Sequence, residues 1–89
     1  MTEAVVEIRN RLGLHARAAA KFVHVANRFS SRIQVVRAAT TADGKSILGL
    51  LTLAAACGTT LTLRADGADE SDAIEALREL VGTRFGEDA

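Results

Sequence analysis

The chain has 89 residues, 48% of them apolar, no formal net charge and a single cysteine, Cys57. That length leaves room for one domain spanning residues 1–89 and excludes a second core, while one cysteine excludes an internal disulfide and fits a reducing compartment. No apolar run approaches the roughly 20 residues that cross a bilayer, and Met1-Thr2-Glu3-Ala4 lacks the basic start of a secretory signal, so the expectation is a cytoplasmic protein without membrane insertion.

Ala4, Val6 and Ile8 alternate with Val5, Glu7 and Arg9, which reads as a half-buried strand. Turn-forming residues through Gly13 lead to His15. From Ala16 the period changes: Ala19, Phe22, Val23 and Ala26 recur at helical spacing, and the pattern fades after Asn27. Arg32 to Arg37 returns to strand character with Ile33 and Val35 on one face. Thr40 to Ala42 can pair with it, and Asp43-Gly44 reads as a turn. Ser46 can cap a helix from Ile47 to about Ala55, stopped by Gly58. Leu61, Leu63 and Ala65 alternate with Thr60, Thr62 and Arg64 in the last strand. Asp69 and Asp72 suit the cap and first turn of a final helix, whose stripe of Ile74, Leu77, Leu80 and Val81 ends before Gly82. The order is strand, helix, strand, strand, helix, strand, helix. With short links it predicts an α+β fold, a mainly antiparallel four-stranded sheet with three helices on one face.

Charge is divided along the chain. From Arg9 to Lys45 eight basic residues stand against one acid, Asp43; from Ser46 onward three basic residues face eight acids. Unless the halves interleave in space, this predicts a basic surface around His15 that attracts an acidic ligand or partner.

His15 stands where a turn becomes a helix. Helix starts carry unpaired amides and the positive end of the helix dipole, so the Ala16 and Arg17 amides form a candidate anion site. Neutral imidazole is a good nucleophile, and the guanidinium of Arg17 can spread its donors over phosphate oxygens. His15 is thus read as nucleophile and carrier of a phosphoryl group, with Arg17 screening charge. His24 lies half a turn round the same helix, nine residues on at about 100° each, so the two cannot share a metal, and neither a metal nor a cofactor is expected. In the next helix Leu50, Leu53 and Ala54 can face the sheet, leaving Ile47, Leu48 and Leu51 as a candidate docking patch. Cys57 has no CxxC or basic neighbour and is read as a buried, inert thiol. With three phenylalanines and no tyrosine or tryptophan, a nucleic-acid module has poor stacking platforms.

Asn10-Arg11-Leu12-Gly13-Leu14-His15-Ala16-Arg17, followed by Gly44-Lys45-Ser46-Ile47-Leu48-Gly49, resembles the HPr family of histidine-containing phosphocarriers of the bacterial sugar phosphotransferase system. The resemblance covers the chain in length and element order. It implies an open-faced β-sandwich in which His15 accepts a phosphoryl group from phospho-enzyme I, ultimately from phosphoenolpyruvate, and passes it to IIA components. It implies docking through Ile47, Leu48 and Leu51, a monomer, and regulatory phosphorylation at Ser46 by an HPr kinase/phosphorylase where the host has one. Position supports the last point, since a helix start tolerates phosphate on Ser46. The chain departs from the family at Ala18, where proline is common after the arginine, and at Ala20, often polar. These departures leave open a regulatory or nitrogen-branch paralogue acting mainly as a protein-binding module.

Overall fold

The computed structural model describes all 89 residues. Four strands, β1 (Thr2–Glu7), β2 (Arg32–Arg37), β3 (Thr40–Asp43) and β4 (Thr60–Asp66), form one antiparallel sheet in the order β1-β4-β2-β3. The helices are α1 (Ala16–Ala26), α2 (Ile47–Leu51) and α3 (Glu70–Gly82), and a 3₁₀ turn at Arg84–Gly86 follows.

Register explains how one face becomes the core. Ala4 lies opposite Leu63, Leu63 opposite Val35 and Val35 opposite Ala42, so a single apolar row crosses all four strands beneath the helices. The row one residue on, Val5, Thr62, Val36 and Thr41, belongs to the open face. Against the covered face α1 buries Ala18, Ala19, Phe22 and Ala26, and α3 buries Ala73, Ile74, Leu77 and Val81. Twenty buried apolar side chains form one continuous cluster. β2 and β4 lie where alternation put them; Ile8, expected at the end of the first strand, is buried just beyond β1 and still exchanges backbone bonds with Thr59 (2.9 Å) and Gly58 (2.7 Å).

Four expectations are corrected. The second helix stops at Leu51 instead of about Ala55. The amides of Leu53 and Ala54 bond the carbonyls three residues back, tightening the chain, and Ala54 adopts a left-handed φ of 49° that no helix continues through. Ala54 is consequently exposed instead of facing the sheet, and Leu51 is half-buried against the core instead of lying wholly in the patch. Third, the turn after β3 falls at Gly44-Lys45, because Asp43 still pairs with Gln34 and its carboxylate accepts the Lys45 amide at 2.9 Å. Fourth, Cys57 is exposed, its Sγ 3.6 Å from the Arg9 carbonyl. It sits in the connection between α2 and β4, outside the alternation that buries Leu61, Leu63 and Ala65.

Asp69 is at the start of α3 as expected, but its side chain makes no bond to that helix. It accepts the amides of Ser30 (2.9 Å) and Ser31 (3.0 Å) and the Ser31 hydroxyl, tying the α1–β2 connection to the β4–α3 connection.

Candidate functional site

The segment before α1 is shaped by a contact only glycine allows. Gly13 has φ of 69°, and a Cβ there would lie 2.6 Å from the Ala55 carbonyl oxygen. That closeness lets the next amide, of Leu14, donate to Ala55 O at 2.8 Å. The segment thereby delivers His15 in an extended conformation to the N-cap of α1. The His15 carbonyl accepts the Ala19 amide at 2.8 Å, but its ring makes no capping bond. The amides of Ala16, Arg17 and Ala18 thus have no carbonyl partner in the helix, and Ala18 supplies an N–H that proline would not. Ala16 and Arg17 are exposed, and the Arg17 guanidinium bonds to no protein group.

The ring itself is held from the far end of the chain. His15 Nε2 lies 2.5 Å from a carboxylate oxygen of Glu87, and the other Glu87 oxygen accepts Nδ2 of the fully buried Asn10 at 3.0 Å. Asn10 Nδ2 also donates to the Gly13 carbonyl at 2.7 Å, so two acceptors fix the orientation of its amide. The bond to His15, then that to Asn10, hold the Glu87 carboxyl below its usual range despite partial desolvation, with Lys21 adding attraction. Phe85 is buried and Lys21 Nζ donates to its carbonyl at 2.6 Å, which seats the tail two residues before Glu87. Nδ1 of His15 has no protein partner.

Asn10, Lys21, Phe85 and Glu87 are site residues that sequence reasoning missed. The one available signal was Phe85, a large apolar residue standing three positions past the glycine taken to end the last helix.

Ser46 caps α2, its Oγ accepting the Gly49 amide at 3.0 Å. Beyond it Leu48 is 77% and Ile47 40% exposed, with half-buried Leu51 joining them to the core. Leu12, also exposed, belongs with Leu14, His15 and Ala54 to Ala56 to a shallow groove of about 240 Å³ beside the ring. The connection after α2 is clamped by Arg37, whose Nη1 donates to the carbonyls of Leu53 (2.6 Å) and Ala54 (3.2 Å). None of the eight basic residues from Arg9 to Lys45 forms an ion pair; Lys21, Arg37 and Lys45 donate to backbone carbonyls instead. Their charge is therefore not cancelled by direct pairing with the acidic half. His24 is exposed, and no group of three His, Cys, Asp or Glu side chains is placed to hold a metal. No helix is long and apolar enough to cross a membrane.

Comparison with known proteins converges on one family. Residues 2–83 match the family described as the PTS HPr component phosphorylation site. The phosphocarrier protein HPr of Neisseria meningitidis is 48% identical over 87 residues, covering 98% of each chain, and that of Pseudomonas putida is 51% identical over 83 residues, covering 92% of each. Among solved structures, HPr-C-His from Thermoanaerobacter tengcongensis superposes with a TM-score of 0.96 at 44% identity over the whole of both chains. Crh of Bacillus subtilis, described as a catabolite repression protein forming a swapped dimer, gives 0.77 at 43% identity, covering 94% of this chain and 97% of its own. The expected open-faced antiparallel sandwich is the fold of these neighbours. By sequence and by structure alike, the chain belongs to the HPr family of the phosphotransferase system, whose members are phosphoryl carriers, not enzymes.

Proposed function

We propose that the chain accepts a phosphoryl group on His15 from phospho-enzyme I and passes it to IIA components, as a cytoplasmic monomer. The observation that carries this reading is a histidine ring with one nitrogen committed to Glu87 and the other uncommitted, set at a helix start whose first three amides lack carbonyl partners. An arriving phosphoryl group carries spread negative charge, which those amides, the helix dipole and the uncommitted Arg17 guanidinium oppose without first breaking another bond. Transfer then rests on positioning, with the partner protein completing the site. The exposed Leu48 and Ile47 serve as the docking surface, and Ser46, which caps the helix that bears them, is a site for control by an HPr kinase/phosphorylase.

Incubation with enzyme I and phosphoenolpyruvate, followed by intact mass, tests the reading. One acid-labile phosphoryl group is expected on the wild type and on His24→Ala, and none on His15→Ala. Acid-labile phosphate persisting on His15→Ala overturns the assignment.

A further inference from the structure

We infer that Glu87 is a positioning residue: it keeps the proton of the His15 ring on Nε2 and so holds the lone pair on Nδ1, the nitrogen that membership of the HPr family already implies as the phosphoryl acceptor. The inference rests on the carrier reading above and adds to it the part that Glu87 plays.

An ionised carboxylate can only accept hydrogen bonds, so at 2.5 Å from Glu87 the ring nitrogen Nε2 must be the donor. In the neutral ring that leaves the lone pair on Nδ1. The opposite tautomer would set the Nε2 lone pair against the carboxylate at the same distance. Glu87 cannot easily turn away from this duty, because its other oxygen is engaged by Asn10 and the preceding chain is fixed by buried Phe85 and by Lys21. Nε2 is covered in the same arrangement, which excludes it as a second acceptor atom.

The step balances with the proton in place. The Nδ1 lone pair forms the new N–P bond while the donor keeps the electron pair of the bond it loses. The ring then carries positive charge with hydrogen still on Nε2, and Glu87 offsets that charge through a bond already made. When the phosphoryl group leaves for an acceptor, the pair returns to Nδ1 and Nε2 again keeps its hydrogen.

Glu87→Gln is the informative variant because it preserves shape and reverses chemistry. Asn10 Nδ2 demands an oxygen on its side, so the Gln amide nitrogen is turned toward His15 and donates to Nε2. The ring hydrogen is then driven onto Nδ1, and the nucleophilic lone pair is lost. In ¹⁵N-labelled protein at a pH where the ring is neutral, the wild type should show Nε2–H, Glu87→Gln a shift to Nδ1–H, and Glu87→Ala the mixture of a free imidazole. Transfer from enzyme I should fall in the order wild type, Glu87→Ala, Glu87→Gln, with the last slower than wild type by about tenfold or more, since a tautomer reversed at the cost of one hydrogen bond shifts its population by about that factor. A packing role for Glu87 predicts the reverse order, with the isosteric Gln the milder change. If the wild type takes no phosphoryl group from enzyme I, the carrier reading fails and the positioning role with it. If the wild type is phosphorylated while Glu87→Gln matches it in ring ¹⁵N shifts and in rate, the positioning role alone is overturned.

Discussion

Replacing Leu48 by Asp separates docking from folding. Complete burial of a leucine side chain contributes roughly 1.5–3 kcal/mol to stability, and Leu48 is 77% exposed, so about a quarter of that, roughly 0.3–0.7 kcal/mol, is at stake in the fold. Its neighbour Leu50 is fully buried, and Leu50→Ala should cost about 2–5 kcal/mol. If Leu48 anchors enzyme I in a desolvated contact, a charge there should weaken binding by about 1–3 kcal/mol, which is some 5- to 150-fold in Kd. Urea unfolding and calorimetric titration with enzyme I read the two quantities on one preparation. The expected outcome is a nearly unchanged unfolding midpoint with a large loss of affinity. A Leu48→Asp protein that loses stability on the scale of Leu50→Ala and binds enzyme I normally would refute the assignment.

Ser46→Asp should slow phosphorylation of His15 by enzyme I relative to Ser46→Ala, more so at low salt, and equal rates in two folded proteins would leave Ser46 a helix cap alone. The Asp69 carboxyl is lowered from 3.8 to about 2, first by the Ser31 hydroxyl and then by the Ser30 amide. Its stabilising contribution is therefore complete above about 3.8 and lost as pH falls toward about 2, so Asp69→Asn should flatten the acid limb of the stability curve between those values, measured by denaturant midpoints. Ala54→Gly should raise the thermal midpoint, because relief of a left-handed alanine, ~1–2 kcal/mol, exceeds the ~0.4–1 kcal/mol that glycine adds to unfolded-chain entropy; a lowered midpoint would contradict that strain.

Where a segment repeats a pattern, the sequence is a good guide to the fold. Ile33 and Val35, or Leu61, Leu63 and Ala65, alternate because one side of each strand faces the helices, and β2 and β4 lie where that alternation put them. The same reasoning overextends α2, since leucines and alanines from Leu53 onward suit a helix in composition while Arg37, sixteen residues away, captures the carbonyls that end the turn. Burial of Cys57 failed for a related reason: it lies in a connection whose course is set by Gly13 and Ile8, not by its own neighbours. His15 and Arg17 were legible as a local motif at a helix start. Glu87 was not, because its partners lie 72 and 77 residues back in the chain and no periodicity links them.

The carbonyls of Leu53, Ala54 and Ala55 are a shared strut. Arg37 grips the first two, and the Leu14 amide takes the third, one residue before His15. The chain leaving the helix that bears Leu48 and the segment bearing His15 are therefore both bonded to the same short piece of backbone. On the proposed docking reading, a protein seated on Leu48 would meet the ring nitrogen at a set offset and would need no second orientational search before chemistry. If the chain serves both a donor and an acceptor as proposed, that economy would fall on the encounter step, where diffusive alignment lowers association rates by orders of magnitude below the collision limit.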